Sequence, residues 1–87
     1  MPEKNQSSQA SRPDATYQEA SEAYGAALSR LARAYEAEPE KRGDLLQEIH
    51  IAIWKSLGRF NGSCSLRTWV FRIAHNVAVS HVLHERR

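Results

Sequence analysis

Cysteine is nearly absent: Cys64 is the only one, so no intrachain disulfide can form, which fits a reducing compartment. No uninterrupted apolar run approaches the ~18 residues that a membrane-spanning helix needs. The opening Met1-Pro-Glu-Lys-Asn-Gln-Ser-Ser lacks the apolar segment of a secretory signal. From these absences we expect a cytoplasmic protein that makes no membrane contact. Acidic residues thin out toward one end. Residues 55–87 carry six Lys/Arg against one acid, Glu85, a balance of +5, whereas residues 1–43 carry six against seven. All four histidines also lie in the second half. A basic C-terminal third suits a polyanionic partner, because Lys and Arg displace counterions condensed on phosphates. An ordinary solvated helix face would show the same asymmetry.

What is present fits one globular domain. Eighty-seven residues leave no room for two cores. With 41% hydrophobic and 25% charged residues, the balance is neither that of a disordered chain nor of a fibrous one. Residues 1–13 are polar, lack any large apolar side chain beyond Met1, and read as a disordered tail. From there Tyr17, Ala20, Tyr24, Leu28, Leu31 and Tyr35 recur every three or four residues, one helical stripe, with Asp14 or Thr16 available as the cap. Pro39 disfavours helical geometry at Glu38, so this helix should end near Ala37.

Residues 38–43 are expected to form a polar connection. A second helix then runs to about Leu57 with Leu46, Ile49, Ile53 and Leu57 on one face. Asp44 and Gln47 could start it as a capping box, or Asp44 already lies inside a helix begun near Pro39. Leu45, Ile51 and Trp54 fall outside the main stripe; this surplus either packs under the first helix or awaits a partner. Gly58 and Gly62 bracket a loop, after which Ser63 or Ser65 can cap a third helix from about Leu66. Its apolar positions are Leu66, Trp69, Val70, Ile73 and Val77. No alternating strand pattern occurs. The expected fold is all-α, a compact bundle of three main helices with a polar tail and a functional loop before the last helix.

Enzyme chemistry has little to rest on. No spacing joins Cys64 to a histidine and an orienting acid, and no Gly-rich phosphate cradle follows a strand. His81 and His84 stand three apart with His75 about two turns earlier. A zinc site, however, wants three or four ligands at defined spacing, and neither a Cys pair nor H-E-x-x-H is present. We expect no catalysis, metal or other cofactor. The denser signal is Arg59, Phe60, Asn61, Ser63, Arg67, Trp69, Arg72 and Asn76 within eighteen positions. Aromatics beside cations make stacking platforms for unpaired bases, Asn amides read base edges, and hydroxyls and arginines hold phosphates.

Two motifs now stand in register. Asp44-Leu-Leu-Gln-Glu-Ile-His-Ile-Ala-Ile-Trp is followed by Phe60, a short loop and Leu66-Arg-Thr-Trp-Val-Phe-Arg-Ile-Ala-His-Asn-Val-Ala. Over about residues 17–87 this resembles region 2 of bacterial sigma factors, most closely the extracytoplasmic-function group. That group typically reads D-L-x-Q-E-x-F-x-x-x-W, then phenylalanine and L-R-T-W-L-x-R-I-A-x-N-x-A. The resemblance implies that residues 14–87 form a helical domain of an RNA polymerase initiation factor. It assigns Asp44, Gln47 and Glu48, with Leu45 as an apolar neighbour, to docking on the clamp helices of the largest subunit of core RNA polymerase. It assigns the loop with Phe60, Asn61, Gly62 and Ser63 to capture of a flipped base on the non-template strand of the promoter minus-ten element. Arg59 flanks that loop. Trp69 matches the first tryptophan of the pair with which primary sigma factors wedge the duplex, and Val70 stands where the second would be. Arg67 and Arg72 match basic positions and Asn76 the asparagine of the recognition helix.

The chain also departs from the pattern. Family members often continue N-x-A-x-D-x-x-R with several arginines, where this chain has Ser80, Leu83, His84 and Glu85. His50 replaces the usual aromatic of the second helix. The recognition helix is thus less basic at its end, and the domain alone is expected to bind DNA weakly. An alternative is a diverged sigma-like interaction module that binds polymerase or an anti-sigma factor without promoter readout. The last helix is still running at His84-Glu-Arg-Arg with no Gly or Asn stop signal, so a segment of a longer protein, lacking region 4, is expected.

Overall fold

The computed structural model describes residues 13–85. Three helices follow one another: α1 (Pro13–Tyr35), α2 (Pro39–Ser56) and α3 (Leu66–Glu85), with a 3-10 turn at Leu57–Arg59 closing α2. The all-α expectation holds among the described residues, and each helix packs on the other two. Of the expected tail, residues 1–12 lie outside the described residues, while Pro13 already opens α1. Asp14 and Thr16 lie within that helix. Proline is well placed there, since its fixed φ suits the first helical position and its missing N–H would have had no intrahelical partner.

The link between α1 and α2 is shorter than the sequence suggests. Glu38 is extended (φ −77°, ψ 121°), as a residue before proline prefers, and Pro39 starts α2 at once. Residues 39–43, expected as connection, are therefore the first turn of α2, with Glu40 near its positive end. Asp44 lies a turn inside, so the capping box is excluded. α1 stops at Tyr35, two residues before Ala37. The link that follows is held by Arg42, whose guanidinium donates to the carbonyl oxygens of Glu36 at 3.3 Å and Ala37 at 2.7 Å. That fixes a sharp antiparallel return.

Small residues set the helix spacing. Ala20 and Leu28 are almost fully buried, and Ala32, Ala74 and Ala78 completely so, together with Leu45, Ile49, Ile53 and Val70. Of the five positions expected to line the core from α3, only Val70 is fully buried; Leu66, Trp69, Ile73 and Val77 lie at its margin. Alanines let the axes approach, and a pattern weighted toward large side chains overlooks them. On α2 the buried line runs Leu45, Ile49, Ile53 and Leu57, with Leu46 displaced to the side. Of the two fates open to the apolar surplus, Leu45 takes the packed one and is a core residue.

Polar side chains tie α1 to its partners. The Tyr17 hydroxyl meets His50 Nδ1 at 2.8 Å, Tyr35 meets His75 Nδ1 at 3.2 Å, and Tyr24 packs edge-on to Phe71. At the far end Glu36 holds His81 at 2.8 Å and Lys41 holds Glu85 at 2.9 Å. The hydrogen bond from His81, then that from the Glu38 amide, hold the Glu36 carboxyl below the usual carboxylate range. Among the described residues no buried side-chain nitrogen or oxygen lacks a partner.

Burial lowers the His50 pKa from its ordinary value. In mildly acid solution the unfolded chain therefore binds this proton more readily than the folded one. The stability His50 contributes is whole above about pH 6.5, its unfolded value, and drains away as pH falls through that value toward the folded one. Denaturant midpoints compared at about pH 7.5 and about pH 5.5 should show a larger loss for the wild type than for His50→Phe. Equal losses would contradict the burial argument.

Candidate functional site

The 3-10 turn directs the chain off α2 and into the loop. The Phe60 amide donates to the Leu57 carbonyl at 3.1 Å, and Phe60 itself is extended (φ −73°, ψ 120°). Its ring then lies back against Trp69, with centroids 5.4 Å apart and planes inclined at 52°. The Trp69 indole N–H donates to Ser56 Oγ at 3.0 Å, and that hydroxyl donates to the Ile53 carbonyl at 2.9 Å. Ser56 is buried, so the start of α3 is bolted to the end of α2 through a dry polar contact.

Above this floor Asn61, Gly62 and Ser63 are exposed. Asn61 Oδ1 accepts the Ser63 amide at 3.0 Å, which closes an Asx turn. Gly62 takes φ +83°, the left-handed region that disfavours side chains. Because the Asn61 oxygen is engaged within the turn, its NH2 group is the edge it offers to a ligand. Of the two proposed caps it is Ser65 that acts: its Oγ accepts the Thr68 amide at 3.1 Å and donates to Thr68 Oγ1 at 3.0 Å. The structure thus brings Phe60, Asn61, Gly62, Ser63 and Trp69 into one small unit. Arg59 is exposed at its entry.

The remaining candidates on α3 fall on two flanks. Arg67 and Arg72 line a shallow hollow of about 500 Å³ with Thr68, Phe71 and His75. The Arg67 guanidinium lies over the Phe71 ring, 5.7 Å from its centre. Asn76 lines a different depression, a groove of about 600 Å³ between α2 and α3 that includes Asp44, Glu48 and Lys41. Arg72 and Asn76, four residues apart, are neighbours on the helix surface and join the two flanks. Trp69 lines neither of these two depressions.

On α2, Asp44, Gln47 and Glu48 are all exposed, whereas Leu45 beneath them has no accessible surface. Ile51 and Trp54, the apolar surplus of the sequence, remain 46% and 49% exposed on the same helix. Trp54 and Gln47 share a hollow with Tyr17, His50 and Ile51. Sequence reasoning missed Ser56, whose serine type carries no signal until Trp69 is seen to reach it, and weighed His75 as a metal ligand beside His81 and His84, not as a partner of Tyr35. His50, His75 and His81 each meet a different partner. Among the described residues no three His, Cys, Asp or Glu side chains converge as a metal site would require.

Comparison with known proteins adds to this geometry. Residues 21–87 match the family model described as Sigma-70 region 2. The chain is similar to the RNA polymerase sigma-H factor of Pseudomonas aeruginosa, 39% identical over 44 residues, which are 51% of this chain and 23% of that protein. It is also similar to the ECF RNA polymerase sigma factor SigG of Mycobacterium tuberculosis, 43% identical over 44 residues, 51% of this chain and 12% of that protein. The matched stretch thus spans less than a quarter of the length of these curated relatives. No solved structure matches.

The loop conformation gives a direct test. An alanine at position 62 must hold a positive φ, at a cost of roughly 1–2 kcal/mol. Gly58 has no positive φ and open space around it, so alanine there is tolerated. Denaturant unfolding should show Gly62→Ala less stable than the wild type and Gly58→Ala close to it or slightly more stable. Equal stabilities of the two variants would refute the turn.

Proposed function

Because this chain belongs to the sigma-70 region 2 family, we propose that it is the domain of an extracytoplasmic-function-type transcription initiation factor that docks on core RNA polymerase and grips unpaired promoter DNA. α2 faces the clamp helices of the polymerase largest subunit through Asp44, Gln47 and Glu48. The loop and α3 hold the non-template strand of the minus-ten element. The observation that carries this reading is the exposed turn of Asn61, Gly62 and Ser63 standing on the Phe60–Trp69 pair, with the acidic residues of α2 outside that unit.

The energetics fit a base captured after it has left the stack. Unstacking costs a few kcal/mol. Stacking on an aromatic side chain returns ~1–3 kcal/mol per base, and donors such as the Asn61 amide and Ser63 hydroxyl offset the rest. Val70, at the place of a second wedging tryptophan, is fully buried, and the Trp69 indole is held by Ser56. The domain is therefore a receiver of open strand rather than a device that opens duplex unaided. On α2, Asp44 and Glu48 supply acceptors for cationic side chains, while Ile51 and Trp54 add apolar surface of the kind that anchors protein interfaces. Leu45 contributes by holding that helix against the core.

A second reading has one observation in its favour. Val79 and Leu83 are 45% and 57% exposed on the far half of α3, with Leu83 where relatives of the motif carry arginine. An anti-sigma factor with an apolar contact would use this end without any promoter readout.

The two interfaces separate by mutation. Phe60→Ala with Asn61→Ala should weaken binding of single-stranded minus-ten DNA by about tenfold or more, as measured by fluorescence anisotropy, and leave polymerase capture intact. Asp44→Ala with Glu48→Ala should do the reverse in a pull-down with core RNA polymerase. Unchanged DNA affinity in the first variant, or unchanged capture in the second, would remove the corresponding half of the assignment.

A further inference from the structure

The hollow on the outer flank of α3 has no role in base capture, and its lining is unusual in being cationic and polar without an acid: Arg67, Thr68, Phe71, Arg72 and His75. These positions repeat at the helical period, 67, 71 and 75 on one line and 68 and 72 on the next, so one face of one helix presents them together. We propose that His75, steered by Tyr35, completes with Arg67 and Arg72 a seat for one backbone phosphate of the bound strand. The inference rests on the nucleic-acid reading above and names a residue and a ligand group that the reading does not contain.

Three features prepare the seat. Arg67 is held over the Phe71 ring, which Tyr24 braces edge-on at 5.7 Å, so its guanidinium loses little freedom when an anion binds. Thr68 Oγ1 accepts a hydrogen bond from Ser65, which leaves its own hydroxyl proton to donate. His75 touches the Tyr35 hydroxyl through Nδ1 at 3.2 Å. When that hydroxyl donates, the neutral ring carries its proton on Nε2, on the side away from Tyr35, and becomes a donor to an incoming oxygen. An anion in the hollow selects this tautomer. Tyr35 is thus a positioning residue and His75 a contact residue. The seat lies within about 14 Å of the start of α3 at the helical rise, close enough for one strand to reach both it and the loop.

A phosphate contact carries no sequence information, whereas a base contact does. Anisotropy titrations of the whole chain with two labelled single strands of about twelve nucleotides, one A/T-rich and one C-rich, therefore read the assignment. His75→Ala should weaken both strands by the same factor, about three- to tenfold, and His75→Arg should restore binding. Tyr35→Phe should give a smaller, equally uniform loss. Arg67→Ala should weaken both strands and flatten the salt dependence by about 0.7. A histidine that served only to brace α1 would shift the thermal midpoint, and arginine would not rescue it. Binding of His75→Ala at wild-type affinity, or unequal losses on the two strands, would overturn the phosphate seat. If Phe60→Ala with Asn61→Ala still lost binding in that case, the proposed function would stand without it. A wild-type chain that binds neither strand would end both.

Discussion

The hydrogen bond from the Trp69 indole to buried Ser56 is the contact on which the arrangement of this domain depends. It joins the end of α2 to the first turn of α3 across a nine-residue detour through the loop. With both ends pinned, the intervening residues need only a short 3-10 turn, an Asx turn and one left-handed glycine to close the path. Phe60 packs on the same indole, so a single side chain fixes the helix junction and floors the loop. Leaving either partner of a buried hydrogen bond unmatched costs more than the bond itself returns, and that asymmetry keeps the junction in one geometry. The exposed turn can then present polar edges without being mobile for lack of support.

The opposite end of the bundle is held by different forces. Arg42 holds the link between α1 and α2, Glu36 holds His81, and Lys41 meets Glu85 at an exposed site where an ion pair contributes little on its own. The interior between the two ends combines Ala20, Ala32, Ala74 and Ala78, which bring the helices close, with the fully buried Leu28, Leu45, Ile49, Ile53 and Val70. With the buried line of α2 running through Leu45, Ile49 and Ile53, Ile51 and Trp54 fall on its outer side and stay about half exposed. A surface that looks wasteful in the isolated domain is intelligible if a second protein covers it.

Much of this was legible before any coordinates, because helical periodicity and capping chemistry act locally. The stripe from Tyr17 to Tyr35, the loop between Gly58 and Gly62, and the start of the third helix at Leu66 all follow from such signals. The errors have physical reasons. Residues 39–43 read as a connection because their side chains are polar, yet proline is fit to open a helix, and of the two starts open for α2 it is the one near Pro39 that forms. Leu45 falls outside an apolar line drawn through Leu46, which leaves open whether it packs inward or awaits a partner. A one-residue shift turns a helix by about 100° and puts Leu45 at the core. The tyrosine–histidine pairs join residues 33 and 40 positions apart, and no local rule reports them. The division of the α3 candidates between two flanks likewise emerges only once α1 and α2 occupy its sides. The motif in register with sigma factors names the candidate residues, but not which of them share a depression.

Hydrogen exchange of the domain alone, with core RNA polymerase, and with single-stranded promoter DNA addresses the central claim most directly, because it follows α2 and the loop in one experiment. The account requires polymerase to protect the exposed segment of α2 around Asp44 and Glu48. Single-stranded DNA should instead protect residues 60–65 and the first turns of α3. Protection of the same segment by both ligands, or a loop that DNA leaves as open as before, would contradict a domain with two separate working faces.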